Sequence, residues 1–198
     1  IGNVLWRNDG PGCEAWCWTE VSEEAGLNTQ MHAMGLAVGD YNNDGQQDVY
    51  ASNMMSPMML GKNLGNGKFE DATEAAGVMV LDSYREAVGW GTSFFDYDND
   101  GWLDLYLATT AMAGGPPGLY GGSAPDMEDF HHPYADLLYH NNGDGTFSSV
   151  ENALANNNKA TMGFAYADYD NDGLMDFVQG NWNSGYALYH NEITQEQN

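Results

Sequence analysis

One fourteen-residue pattern occurs three times without a gap, at residues 35–48, 91–104 and 163–176. The copies read Gly-Leu-Ala-Val-Gly-Asp-Tyr-Asn-Asn-Asp-Gly-Gln-Gln-Asp, Gly-Thr-Ser-Phe-Phe-Asp-Tyr-Asp-Asn-Asp-Gly-Trp-Leu-Asp and Gly-Phe-Ala-Tyr-Ala-Asp-Tyr-Asp-Asn-Asp-Gly-Leu-Met-Asp, with seven of the fourteen columns identical. Long-period self-similarity restricts a chain to folds built from one repeated supersecondary unit. The first Asp of the pattern falls at 40, 96 and 168, which gives periods of 56 and 72 residues.

A second signature, Leu-x-basic-Asn, interleaves with the first at residues 5–8, 60–63, 138–141 and 188–191. In its first three copies a Gly-x-Gly follows, at Gly10/Gly12, Gly65/Gly67 and Gly143/Gly145. Paired glycines of this kind supply the positive φ of a tight hairpin turn. Residues 68–71 and 146–149 then read as returning strands. Behind each acidic loop the residues alternate as a strand does, from Asp48, Asp104 and Asp176 onward. Small residues at Ala37, Ser93 and Ala165 mark a short strand ahead of each loop. One repeat is therefore strand, acidic loop, strand, then strand, Gly turn, strand. Four antiparallel strands are the unit of a β-propeller blade. The expected fold is all-β, one domain of about three to three and a half such blades, with repeats over about 4–58, 59–137 and 138–198. Helical turns are expected at 22–26 and 73–77, each opened by a hydroxyl cap and closed by Gly. Residues 111–136, rich in Gly and Pro, read as an insertion in the middle repeat.

The loops carry the chemistry. Counted from the first Asp, acidic or amide side chains fall at places 1, 3, 5 and 9, with Gly at place 6. Alternate residues turn carboxylate oxygens inward while the Gly lets the chain bend around one ion. The candidate ligands are Asp40, Asn42, Asp44 and Asp48; Asp96, Asp98, Asp100 and Asp104; and Asp168, Asp170, Asp172 and Asp176. The seventh place, Gln46, Trp102 or Leu174, offers a backbone carbonyl. Six to eight oxygens at roughly 2.3–2.6 Å suit Ca²⁺ better than Mg²⁺, so three Ca²⁺ sites are expected. No thiol or imidazole lies within a loop, which disfavours softer metals. An EF-hand would need Glu at place 12 and flanking helices, whereas that place holds Ala51, Leu107 or Gln179 between strands. Three aligned copies with the same Asp, Asp-Gly and closing Asp are not chance acidic turns.

These residues, Asp-Tyr-Asp-Asn-Asp-Gly-x-x-Asp followed by Leu-Tyr-x-Asn-x-Gly-x-Gly-x-Phe, resemble the FG-GAP/VCBS repeat family over nearly the whole chain except 111–136. The resemblance implies calcium-binding blades of an integrin-like β-propeller, an extracellular, cell-surface or periplasmic location, and adhesion or scaffolding rather than catalysis. Two features depart from the family pattern. Asn42 replaces the Asp of the other loops, and three loops are fewer than a closed ring of blades uses.

Composition narrows the partners. Five Lys+Arg against 29 Asp+Glu leave a net charge of −24. Such a chain cannot hold a phosphate backbone or an anionic membrane surface by charge, so neither nucleic acid nor lipid is an expected partner. No apolar run approaches the roughly 20 residues of a membrane span. The chain opens on Ile1 without a signal-peptide pattern, the mark of a processed or partial chain. Cys13 and Cys17 lack the neighbours of a zinc site and the spacing of a redox motif. They read as a short-loop disulfide of an oxidising compartment, with two free thiols as the other option. His140 and His190 share a column with Arg7 and Lys62 and read as a repeated structural position, while His131 and His132 lie beside acids in the insertion. Six methionines within 31–59 suggest packing or an interface rather than copper. No nucleophile elbow, P-loop or dinucleotide fingerprint is present.

The functional expectation is a non-catalytic extracellular calcium module, with a calcium-dependent polysaccharide lyase or hydrolase as the alternative. Counting strands gives thirteen, a little over three blades, against the four to eight that typically close a ring. Open faces and edges invite self-association as a dimer or a head-to-tail filament, with a protein or glycan ligand as a further partner. The rival is a piece of a longer propeller.

Overall fold

The computed structural model describes residues 3–13, 16–54, 57–79, 87–111, 132–133, 135–151, 159–182 and 184–192, without side chains for Ala87, Ala111, His132 and Pro133. Fourteen strands and one helical turn occur among them, all strand pairs are antiparallel, and the sheets are open. The chain is therefore all-β, as its alternation indicates.

Strands β1 (Trp6–Gly10) and β2 (Cys17–Glu20) form a hairpin. Next come the turn α1 (Ser22–Ala25) and a sheet of β3 (Ala33–Gly39), β4 (Asp48–Asn53), β5 (Met59–Asn63) and β6 (Phe69–Asp71), in that order. The second sheet has β7 (Ala87–Phe95), β8 (Asp104–Ala111), β10 (Leu137–Asn141) and β11 (Phe147–Ser149) in the same order, with β9 (His132–Pro133) also on β8. The third has β12 (Thr161–Ala167), β13 (Asp176–Asn181) and β14 (Ala187–Tyr189).

The strand count exceeds the sequence-based one by β9. Thr110 and Ala111 pair with Pro133 and His132, along the edge of β8 that also carries β10. The stretch read as an insertion thus begins and ends in the sheet. A two-residue strand leaves no periodicity to read, and residues 112–131 and 134 lie outside the described residues.

The sheets stack face to face, and their contacts make the core. Tyr50 and Leu60 of the first sheet meet Phe94, Leu105, Leu107, Tyr139 and Phe147 of the second. The opposite face of the second sheet, with Phe95, Tyr106 and Leu138, takes Phe164, Phe177 and Tyr189 of the third. Leu5 and Leu27 cover Ala51 and Met59 on the other side of the first sheet. The repeated Gly that opens each loop pattern has a packing cause. It sits at a register shift in β3, β7 and β12, and in β3 and β7 the backbone of the next sheet lies against it, while Gly163 in β12 has nothing within 4 Å. A Cβ on Gly35 would lie 2.2 Å from the Trp90 carbonyl oxygen.

The expected turn at 22–26 is helical and that at 73–77 is a hydrogen-bonded turn, but hydroxyl groups cap neither. At α1 the cap residue is Val21, and Ser22 Oγ instead accepts the Leu5 N–H at 2.6 Å. In the second turn Asp71 Oδ1 accepts the Thr73 N–H at 3.0 Å, and Thr73 Oγ1 accepts the Leu60 N–H at 2.7 Å. Ser22 ties its turn to the residue ahead of β1, and Thr73 ties the second turn to β5, where it satisfies a buried donor. Gly26 closes α1 in the left-handed conformation, φ 82°. Cys13 and Cys17 are disulfide-bonded at the hairpin turn, Cα atoms 5.9 Å apart.

Candidate metal centres

Each acidic loop joins the first two strands of a sheet, and the three loops repeat one hydrogen-bond plan. Asp at place 1 accepts two backbone N–H groups. Asp40 takes those of Asp44 and Gly45 at 3.0 and 2.7 Å, Asp96 those of Asp100 and Gly101 at 3.1 and 2.9 Å, and Asp168 those of Asp172 and Gly173 at 3.1 and 3.0 Å. Place 3 reinforces the first of these: Asn42, Asp98 and Asp170 each accept the same place-5 N–H, at 3.1 to 3.3 Å. Place 5 turns its own carboxylate to the N–H of place 7, so Gln46, Trp102 and Leu174 donate at 2.8 to 2.9 Å. The bend needs two left-handed residues, the Gly at place 6 and also the Asn at place 4. Asn43, Asn99 and Asn171 have φ of 53°, 60° and 64°. Asn tolerates this region better than other side-chain-bearing residues.

The closing Asp anchors each loop in the core. Asp48, Asp104 and Asp176 are buried. Each accepts the N–H of the loop tyrosine (Tyr41, Tyr97 or Tyr169) on one oxygen at 3.0 to 3.2 Å. The other oxygen accepts the N–H of Asn63, Asn141 or Asn191 at 2.7 to 2.8 Å. The Asn of Leu-x-basic-Asn is therefore part of the loop, a role its column alone did not reveal. Burial pushes Asp104 up to about 7 despite its two N–H partners, with Asp98 adding repulsion. Asp48 is raised for the same first reason. Asp176, on the last sheet, is instead lowered by the Asn191 N–H.

Two imidazoles approach the loops from β10 and from the end of β14. His140 Nδ1 stands 3.3 Å from Asp98 and 3.4 Å from Asp104, and His190 Nδ1 stands 3.5 Å from Asp170 and 3.1 Å from Asp176. Their column faces the loops, and each imidazole stands with two loop carboxylates in a group that could hold a metal ion. Lys62, at the same place beside the first loop, pairs with Glu70 at 3.7 Å instead.

The structure brings Asp96, Asp98 and Asp100 together, with one oxygen of each within 4.8 Å of the others, and does the same for Asp168, Asp170 and Asp176. In the first loop Asp40, Asn42 and Asp44 hold the same hydrogen-bond positions with one carboxylate fewer. Three carboxylates so close repel one another, and a hard divalent cation would relieve that repulsion. The loops also touch one another. Asn43 Nδ2 donates to the Gly101 carbonyl at 3.2 Å, and Asn99 Nδ2 donates to the Gly173 carbonyl at 2.8 Å. Between the first and second sheets, a cleft of about 560 Å³ opens beside Asn42 and Asp44, lined also by Lys62, Glu70 and Thr146.

A family model described as FG-GAP-like repeat matches residues 40–107 and 123–178, together more than half of the chain. Cartilage acidic protein 1 of Xenopus tropicalis is 24% identical over 177 residues, 86% of this chain and 24% of that protein. The Homo sapiens protein of the same name is 33% identical over 89 residues, 44% of this chain and 13% of its own length. The chain thus spans a quarter or less of these relatives.

Proposed function

The chain belongs to the FG-GAP-like repeat family, and on that basis we propose that it is an extracellular, non-catalytic calcium-binding repeat module serving adhesion, scaffolding or self-assembly. The observation that carries the reading is the threefold repetition of the loop's hydrogen-bond plan, with oxygens of places 1, 3 and 5 gathered in the second loop and of places 1, 3 and 9 in the third. Three Ca²⁺ ions, one per loop, are held by Asp40, Asn42, Asp44 and Asp48; by Asp96, Asp98, Asp100 and Asp104; and by Asp168, Asp170, Asp172 and Asp176. The carbonyls of Gln46, Trp102 and Leu174 complete the shells. Calcium neutralises carboxylates that repel one another, and binding energy absent from the unfolded chain becomes folding energy. An extracellular setting supplies the calcium and agrees with a bonded Cys13–Cys17 pair. Among the described residues no helix is long and apolar enough to cross a membrane, and relatives named for cartilage and acidity support a matrix-like role.

Calorimetric titration of the chelated protein with Ca²⁺ tests the reading. About three ions should bind, and the melting temperature should rise markedly. Asp100→Ala should weaken binding more than Asn42→Ala, because it removes a charged ligand. An unchanged melt in excess EGTA would refute it.

A further inference from the structure

No acidic loop contains an imidazole in its sequence, yet the fold delivers one to two of the loops from another strand. His140, on β10, and His190, just after β14, each turn Nδ1 toward two carboxylates of their own sheet's loop. The loop tyrosine holds each ring in the same manner. Tyr97 meets His140 edge-on, with centroids 6.1 Å apart and planes at 79°, and Tyr169 meets His190 at 6.1 Å and 72°. The place-3 carboxylates are divided alike as well. Asp98 and Asp170 give Oδ1 to the place-5 N–H and present Oδ2 to the imidazole. Every one of these contacts lies within a single sheet and its own loop.

The distances at His140 decide what kind of contact this is. A charge-assisted N–H···O bond runs about 2.7–2.9 Å. His140 Nδ1 stands farther off, 3.3 Å from Asp98 Oδ2 and 3.4 Å from Asp104 Oδ1. That nitrogen is shut off from solvent and has no hydrogen-bond partner among the described residues. The side chain as a whole is 33% exposed, which gives an ion access. Ligands of a tetrahedral zinc, bonded at roughly 2.0–2.2 Å, stand about 3.3–3.6 Å from one another. The spacing around His140 Nδ1 is that of a ligand set. One donor atom from each of Asp98, Asp104 and His140 lies within 4.8 Å of the others, and Asp170, Asp172 and His190 meet the same condition. His190 Nδ1 also lies 3.1 Å from Asp176 Oδ1, a hydrogen bond that an entering ion would replace.

We infer that the second and third loops, but not the first, are mixed nitrogen–oxygen sites for a borderline divalent metal of the zinc class. His140 binds it with Asp98 and Asp104, and His190 with Asp170 and Asp172. Imidazole and carboxylate together suit Zn²⁺, whereas Ca²⁺ takes oxygen ligands. The first loop lacks the nitrogen, because Lys62 fills that column and pairs with Glu70, and an ammonium group has no lone pair to offer. This goes beyond the calcium reading and stands without it. Asp98 and Asp170 serve both ions, so zinc and calcium compete at these two loops.

Calorimetric titration of the chelated full chain with Zn²⁺ alone gives the test. His131→Gln and His132→Gln are placed in the background first, so that the vicinal pair adds no site of its own. Two zinc ions should bind. His140→Gln and His190→Gln should each remove one, weakening that loop by more than the roughly 10–100-fold that loss of a mere supporting partner costs. The double variant should bind none yet keep its calcium, and a thermal melt checks that each variant folds. Histidine ¹⁵N NMR of the background protein reads the same point without touching either site: Zn²⁺ should shift Nδ1 of His140 and His190 and leave His32 unmoved. Zinc that fails to bind, that fills three loops equally, or that survives the loss of both imidazoles overturns the assignment, as do unshifted Nδ1 resonances. Zinc binding without calcium binding overturns the calcium reading alone.

Discussion

Without divalent cations, this protein should become more stable as it is acidified from pH 8 to about pH 5.5. The reason is Asp104. Its carboxylate is buried, with Asp98 close by and His140 the facing base. It titrates near 7 in the folded chain against 3.8 as its ordinary value. A carboxyl whose folded pKa is raised binds its proton more tightly in the native state, so stability falls as pH climbs through the window between the two values. For one such group the gain from pH 8 to pH 5.5 is about 2 kcal/mol, which for a domain of this size is roughly 4–8 °C in Tm. Asp48 and Asp98, also raised, act in the same direction. So does His190: its partial burial opposes protonation, but the Asp176 and Asp170 carboxylates outweigh it and raise the group. In saturating calcium the dependence should flatten or invert, because protons then compete with the ion for the same oxygens. Differential scanning calorimetry at matched ionic strength, in EGTA and in calcium, reads both slopes. The Asp104→Asn variant in EGTA should lose most of the pH dependence. A chelated wild type whose Tm rises from pH 5.5 to pH 8 would refute the reasoning.

Two further predictions concern packing. Gly35→Ala should cost about 2–4 kcal/mol in urea unfolding, because its Cβ would fall 2.2 Å from the Trp90 carbonyl, and backbone on both sides resists the shift. Gly163→Ala, in the same repeat column but with nothing within 4 Å, should stay within about 0.5 kcal/mol of wild type. Asp136→Ala should also cost about 2–4 kcal/mol. Asp136 accepts from Tyr106 Oη, Gln179 Nε2 and the Thr109 N–H at 2.7 to 2.8 Å, all inside the contact between the second and third sheets.

What the sequence disclosed and what it hid separate by the range of the interaction. The loop residues and Gly turns act within about ten residues of chain, so their chemistry shows as fixed spacing, and the strand order followed from it. The partners of the closing carboxylates lie farther off: Asn141 reaches Asp104 from 37 residues away and the Tyr41 carbonyl from 100. Spacing cannot show such a contact, although columns that recur together hint at it. Asn99 lies between two candidate ligands without being one. It is instead a left-handed corner whose amide holds the following loop. His140 and His190 were legible as a column but not as neighbours of the loops, because the imidazoles arrive from another strand. The hydroxyls of Ser22 and Thr73 mark turns correctly yet accept the N–H groups of Leu5 and Leu60.

The side-chain amides that join one acidic loop to the next also divide the molecule's two rims by tolerance to change. Asn43 and Asn99 run the three loops into one continuous belt, so a residue altered in any loop is felt by its neighbour's backbone. Among the described residues the opposite rim has no such belt. There β8 ends at Ala111, the chain re-enters the sheet at His132, and Asp136 rivets the return to Tyr106 and Thr109. Exchanges within residues 112–131 should therefore leave the belt undisturbed, since Asp136 fixes the chain where it returns to the sheet. One rim is held to a fixed script, and the other is where a chain of this kind can acquire new binding specificities.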